Sequence, residues 1–74
     1  MTNNRVVRHR MKQLRKMKGS QDAVGYATGV TGTYIRHIEN GYVVPGLKFM
    51  RRLSDYFETP LEELFPDVFH ENRN

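Results

Sequence analysis

The chain has 74 residues, no cysteine and a formal net charge of +4. A chain this short forms one small domain with a modest core, which favours a binding module over an enzyme with a deep pocket. Without cysteine there is no disulfide or thiolate metal site. No apolar run approaches the ~20 residues of a membrane span, and none follows the basic N-terminus, so a cytoplasmic protein without cofactor is expected.

The charge is unevenly distributed along the chain. Residues 1–52 hold eleven of the twelve Lys and Arg and two of the eight acids, a net charge of +9, whereas residues 53–74 carry −5. This asymmetry predicts a polyanion that approaches from one side. Ordinary solvated charge is the alternative.

The first predicted helix follows a polar, frayed stretch at residues 1–4. It runs from Arg5 to Lys18, and Gly19 ends it. Its apolar positions recur every three or four residues, as on one face of an amphipathic helix: Val7, Met11, Leu14 and Met17.

The next two predicted helices are separated by a glycine turn. Ser20 caps a helix from Gln21 to about Thr28, with Val24 and Ala27 facing inward. Gly25 is unfavourable inside this helix and indicates a close helix–helix contact. After Gly29 and Val30, Thr31 caps a third helix that reaches Glu39 or Asn40 and ends at Gly41.

Two more helices complete the predicted fold. The fourth covers about residues 46–57, with Leu47, Met50, Leu53 and Phe57 on its inner face. In "ETPLEELF", Thr59 and Glu62 form a capping box and Pro60 takes the first helical position of the fifth helix. The fold class is therefore all-α: five helices around one core, with helices 2 and 3 as a helix-turn-helix.

The chain resembles the Cro/CI-type (XRE-like) helix-turn-helix family of bacterial and phage regulators. The resemblance covers residues 7–66 and rests on these marks: Leu14–Arg15, Gly19, Ser20–Gln21, Gly29–Val30–Thr31, Tyr34–Ile35, Ile38–Glu39–Asn40–Gly41, Pro45 and Leu61–Leu64–Phe65. It implies a compact, lambda-repressor-like DNA-binding domain over residues 5–66 and a tail over residues 67–74. It also implies double-stranded DNA as the partner and a bacterial or phage-encoded protein.

The third helix is expected to read bases in the major groove. If Ile35 and Ile38 face the core, four positions point away from it: Gly32, Thr33, Arg36 and His37. Arg36 suits a guanine, although a phosphate contact or a solvated charge remains open for it. Base reading and phosphate contact both remain open for His37. Gly32 would let the backbone approach the groove closely.

A second group is expected at the DNA backbone. Gln21 starts helix 2, where free backbone N–H groups attract phosphate. The other candidates are Thr31, Tyr34, Asn40 and Tyr42, and, since the loop "YVVPG" is uncharged, basic residues of helix 1 such as Arg5 and Arg8. Tyr34 has an alternative role, in which its ring packs on helix 2.

The family resemblance also implies a structural ion pair and a dimer. Arg15 and Glu39 would form a salt bridge that orients the third helix. A palindrome read by a two-fold dimer requires a dimer contact, for which the apolar C-terminal residues are candidates: Leu61, Phe65, Val68 and Phe69. Folding of Phe65 and Phe69 onto the core is the alternative.

The expected function is a sequence-specific transcriptional regulator that binds its operator as a homodimer. One alternative is the antitoxin of a toxin–antitoxin pair, whose acidic tail would engage a toxin or other protein partner. Another is a protein-interaction module that kept the fold without specific DNA binding. An enzyme is disfavoured, because no catalytic constellation appears at usable spacing.

Overall fold

The computed structural model describes residues 5–69 and is all-helical over that range. The frayed stretch predicted at residues 1–4 lies outside the described residues, as do residues 70–74. Five helices follow one another: α1 (His9–Lys18), α2 (Gln21–Thr28), α3 (Gly32–Glu39), α4 (Leu47–Phe57) and α5 (Leu61–Leu64). The prediction of an all-α, five-helix fold is confirmed.

One core holds the helices together. It takes side chains from all five helices and from the residue after α5: Met11, Val24, Ile35, Ile38, Met50, Leu53, Phe57, Leu64 and Phe65. Four residues predicted to face inward lie outside it: Met17 is 78% exposed, Leu47 is 48% exposed, Ala27 is exposed, and Val7 is half-buried in the stretch before α1. Met17 and Leu47 stand in end turns that run past the core, and Ala27 lies on the outer side of α2.

The turn between α2 and α3 follows from two glycines. Gly29 takes the left-handed conformation (φ 89°) that side-chain-bearing residues avoid, and the amides of Gly29 and Val30 both donate to the Gly25 carbonyl at 2.8 Å. A Cβ at Gly25 would lie 2.7 Å from the Val30 carbonyl oxygen. A close contact at Gly25 is present, but it is made with the backbone of Val30 and Thr31 and not with a neighbouring helix as predicted.

The start of α1 differs from the prediction. Residues 5–8 are not helical, and α1 begins at His9. The Arg8 amide donates to the Glu39 carbonyl at 2.7 Å, which ties this stretch to the end of α3. A tertiary hydrogen bond therefore outweighs the local helical pattern.

The capping box predicted before α5 is also wrong. The Thr59 hydroxyl donates to the Phe57 carbonyl at 2.8 Å and makes no bond to α5. Pro60 is the N-cap of α5 and not its first helical residue. Because Thr59 is buried, its hydroxyl satisfies a carbonyl at the end of α4 instead.

Candidate functional site

The exposed face of α3 is set by what the helix buries. Ile35 and Ile38 have no exposed surface, and Thr31 caps the helix by accepting a hydrogen bond from the Tyr34 amide at 3.0 Å. Thr33 and Arg36 are exposed and His37 is half-buried. We call Thr33, Arg36 and His37 the α3 face.

Gly32 does not belong to the α3 face, which corrects its assignment as a base-contacting position. The residue is buried, and a Cβ there would overlap the Asp22 carboxylate and lie 2.9 Å from the Asp22 Cα. Gly32 is therefore the point where the first turn of α2 packs against the first turn of α3.

Arg15 and Glu39 are joined as the family resemblance implied. Arg15 Nε donates to Glu39 Oε2 at 2.7 Å and Arg15 Nη2 to Glu39 Oε1 at 3.1 Å. The Glu39 side chain has no exposed surface and that of Arg15 is 12% exposed, so the pair is buried. It fixes the end of α3 to α1.

The same pair favours the charged form of Arg15. The hydrogen bond that Arg15 donates to Glu39 raises the pKa of Arg15 above its ordinary value, the Coulombic attraction acts the same way, and partial burial opposes both. A raised pKa leaves the stabilisation intact below the unfolded value and loses it only as pH rises through the folded one. Both lie far above neutrality, so this pair adds no pH dependence through Arg15 near neutral pH.

Two predicted phosphate contacts have hydrogen bonds inside the protein. Gln21 Nε2 donates to Glu39 Oε1 at 3.2 Å, and Asn40 Oδ1 accepts from Lys12 Nζ at 3.1 Å. Both residues are half-buried. Tyr34 is half-buried too, and its ring lies 5.9 Å from that of Phe49, so it contacts α4.

Arg5, Tyr42 and His37 form one cluster beside the α3 face. The Arg5 guanidinium lies 4.3 Å from the centroid of the Tyr42 ring, and the His37 ring meets Tyr42 edge-on at 5.7 Å. Tyr42 is 59% exposed. Two predicted backbone contacts and one predicted base contact are thus brought together, with a positive charge at the edge of the α3 face.

Arg8 is wrongly assigned as a DNA contact. Its side chain is 1% exposed, and its donors are directed to the carbonyls of Ile38 and Val43 and to the carboxylate of Asp67. A buried guanidinium needs such partners, because an unpaired buried charge is strongly unfavourable. The prediction that placed Arg8 on the first helix fails because α1 starts only after it.

The predicted dimer residues separate into two groups. Phe65 is fully buried in the core, which corrects its assignment to a dimer contact, and Leu61 and Phe69 pack against the core. Val68 is 37% exposed. The alternative, in which Phe65 and Phe69 fold onto the core, describes these two residues.

Sequence reasoning missed two residues near the site. Arg52 Nη1 donates to the Thr28 carbonyl at 3.2 Å and so holds the end of α2 next to the turn. Asp67 pairs with Arg8. Arg52 follows the polar pattern of α4 and gave no signal, whereas Asp67 is a lone acid between Pro66 and Val68, a setting that could have pointed to a buried partner.

Within residues 5–69, no three His, Asp or Glu side chains are grouped so that they could hold a metal ion. Over the same range, no helix is both long enough and apolar enough to cross a membrane.

Comparison with known proteins identifies the family of the chain. A family model described as helix-turn-helix matches residues 11–64, which include α2, the turn and α3 and most of the core. No curated protein and no solved structure matches the chain.

Proposed function

The chain belongs to the Cro/CI-type helix-turn-helix family and is a DNA-binding regulator, and from this we propose that it binds a palindromic operator as a homodimer and represses or controls transcription there. The observation that carries the proposal is the α3 face. The two isoleucines of helix α3 are buried, and a buried ion pair fixes the C-terminal end of the helix. The side chains of Thr33, Arg36 and His37 are therefore presented on a rigid element. Rigid placement is what base readout requires.

Each side chain of the α3 face has a proposed task. Arg36 is exposed at the middle of α3 and donates to the O6 and N7 of a guanine. Thr33 contacts a base edge or a thymine methyl. His37, next to Tyr42, either reads a base or contacts the DNA backbone. Gln21, Thr31 and Tyr34 remain proposed phosphate neighbours in the first turns of α2 and α3. Asn40 lies at the other end of α3 and is proposed to contact phosphate through its side-chain amide.

The proposed dimer contact moves from the buried residues to the exposed ones. Val44 is 60% exposed and Val68 is 37% exposed. The residues just before them, Val43 and Asp67, both bind the guanidinium of Arg8, so the two valines belong to neighbouring backbone segments. A patch containing Val44 and Val68 is therefore the dimer contact that we propose, with half-sites about 34 Å apart.

The contacts in the structure weaken the sequence arguments for the two alternative functions. The acidic tail was the basis for an antitoxin, but Asp67, the tail acid that lies within the described residues, is paired with Arg8. An interaction module without DNA readout would be favoured by a glycine that has no role on α3, but packing against Asp22 gives Gly32 a structural role. A protein partner, a toxin or an anti-repressor, stays a secondary proposal.

Selection of bound fragments from random DNA, followed by sequencing, tests the proposal. The expected result is a palindrome whose half-sites are one helical turn apart. Sedimentation of the protein with the selected fragment should give two chains per duplex. If no sequence is enriched at low or moderate salt, the interaction-module alternative gains and the operator proposal fails.

A further inference from the structure

Arg8 is the largest fully buried side chain in residues 5–69. Arginine is rarely buried unless it is paired, and burying its charge costs free energy even then. An apolar residue would fill the same space without that cost. The position of its partners indicates what the arginine does there.

On one side, Arg8 caps the end of α3. Its Nη1 donates to the Ile38 carbonyl at 2.6 Å and to the Val43 carbonyl at 2.9 Å, and its amide donates to the Glu39 carbonyl at 2.7 Å. The last carbonyls of a helix lack partners within the helix and carry partial negative charge. One cation therefore satisfies the end of α3 and the loop that follows it.

On the other side, Arg8 holds the C-terminal segment, residues 65–69. Its Nε donates to Asp67 Oδ1 at 3.1 Å and its Nη2 to Asp67 Oδ2 at 2.8 Å, the paired geometry that suits a guanidinium and a carboxylate. The Asp67 side chain is 20% exposed. A single guanidinium thus connects the C-terminal segment to the α3–α4 loop, residues 40–46.

We propose that Arg8 is a positioning residue for the DNA-binding surface and that Asp67 holds it in place, an inference that rests on the function proposed above. Removal of the Asp67 charge leaves a buried guanidinium without its counter-ion. The side chain then leaves its buried position or draws in water, and the Ile38 and Val43 carbonyls lose their donor. The α3–α4 loop loosens next to Arg36 and His37.

The same link gives the C-terminal segment control over DNA binding. Any event that draws Asp67 away from Arg8, such as a partner that grips the C-terminal segment, releases the α3–α4 loop. DNA affinity then falls although no DNA-contacting residue has changed. The coupling between the C-terminal segment and the α3–α4 loop depends on the guanidinium of Arg8 and its hydrogen-bond partners on both sides. A substitution that changes one of these partners therefore tests the coupling.

The chain offers a matched control for this test. Arg10 Nε donates to Glu63 Oε2 at 2.8 Å, and this pair also joins the start of α1 to the C-terminal region. Its side chains are 44% and 46% exposed, and neither residue has a hydrogen bond to the α3–α4 loop. Asp67→Asn and Glu63→Gln therefore make the same change in net charge and each weaken one arginine–carboxylate pair.

The experiment compares the two variants with the wild-type chain on the selected DNA fragment. Loss of a negative charge favours DNA binding in both variants to a similar extent. We expect Asp67→Asn nevertheless to bind about three- to tenfold more weakly than Glu63→Gln, because its α3–α4 loop is loosened. Equal affinities for the two variants would overturn the proposal.

Amide hydrogen exchange, followed by NMR without DNA, separates positioning from loss of stability. The Tyr42 amide donates to the His37 carbonyl at the end of α3, and the Val30 amide donates to the Gly25 carbonyl at the end of α2. In Asp67→Asn, exchange should accelerate at Tyr42 and stay unchanged at Val30, and the protected Nε–H signal of Arg8 should disappear. Equal acceleration at both helix ends would reduce Asp67 to a stabilising residue and overturn the proposal.

The two proposals fail in different ways. If the wild-type chain selects no DNA sequence, the proposed function fails, and the exchange difference between Tyr42 and Val30 still decides whether Asp67 holds the α3–α4 loop. If the wild-type chain selects a palindrome and both variants bind it equally, the proposed function stands and the positioning role of Arg8 is overturned.

Discussion

Glu39 receives two hydrogen bonds from Arg15, at 2.7 and 3.1 Å, and its carboxylate is wholly removed from solvent. Glu39 is the last residue of α3, whereas Arg15 lies in the second half of α1. The pair therefore anchors one end of the α3 face to the rest of the domain. Its burial distinguishes it from the other arginine–carboxylate pair of α1, between Arg10 and Glu63, which is exposed.

Arg15→Ala should lower the free energy of unfolding by about 3 kcal/mol, because it leaves a buried carboxylate without its counter-ion. Arg10→Ala is the control and should cost about 0–1 kcal/mol, since its pair is solvated. Urea unfolding followed by circular dichroism measures both. Similar losses in the two variants would show that the Arg15 pair contributes no more than a surface ion pair.

Arg36→Ala should weaken binding to the selected operator by about 1–3 kcal/mol and relax the preference at one base pair in each half-site. Lys16→Ala, an exposed change of equal charge on α1, is the control. Repeated selection with the variant measures the preference. If binding weakens uniformly over all sequences, Arg36 contacts phosphate and does not read a base.

Arg5→Ala should reduce the slope of log affinity against log salt by about 0.9 if Arg5 contacts one phosphate from its place over Tyr42. Titrations at four or five salt concentrations measure the slope. Arg10→Ala serves for comparison, because Arg10 is turned towards α5. An unchanged slope in the Arg5 variant would remove Arg5 from the proposed interface.

Gly25→Ala should destabilise the domain by about 1–3 kcal/mol, although alanine is the better helix former. The added Cβ would lie 2.7 Å from the Val30 carbonyl oxygen and 2.8 Å from the Thr31 carbonyl carbon, which are backbone atoms that cannot turn away. Thermal unfolding measures the loss. A gain in stability would mean that the α2–α3 turn can shift outward.

Gly46→Ser is the opposite test on a second glycine. Gly46 is the N-cap of α4, has no neighbour within 4 Å of a built Cβ and supplies no side-chain cap. Serine should raise the free energy of unfolding by about 0.5–1 kcal/mol through capping and a less flexible unfolded chain. A loss of stability in thermal unfolding would contradict this expectation.

Val44→Glu should weaken the proposed dimer and its binding to a full palindrome, while a single half-site is bound as before. Met17→Glu is the control, since Met17 is 78% exposed and stands near the C-terminal end of α1, whereas Arg8, which binds the Val43 carbonyl, precedes the first residue of that helix. Analytical ultracentrifugation over a range of concentrations measures association. Equal dimerisation of the two variants would exclude Val44 from the contact.

The helices could be predicted from the sequence because their signals are local. Ser20 and Thr31 cap α2 and α3 as predicted, with hydroxyls that accept amides three residues ahead at 3.0 Å. The apolar spacing likewise located most of the core. Thr59 shows the limit of such signals, because burial turned its hydroxyl towards α4 and cancelled a capping box that the sequence spells out.

The residues of the candidate DNA-binding surface were predicted only in part, because the exposure of a side chain depends on partners far away in the chain. By its position in the sequence, Arg8 was predicted to lie on helix 1 and to contact DNA. Its side chain is instead buried by partners that lie 30 to 59 residues further along the chain. Gly32 fits an outward position on α3, yet Asp22 occupies the space in front of it. Periodicity assigns a side of a helix, and it does not tell which other segment already covers that side.

The contact between Gly32 and Asp22 limits how this protein can change its target. A side chain at position 32 would collide with Asp22 of α2. If the α3 face reads the operator as proposed, changes of target are therefore confined to positions 33, 36 and 37. Each half-site would then carry only the information that three side chains can read, and any further selectivity would have to come from DNA shape.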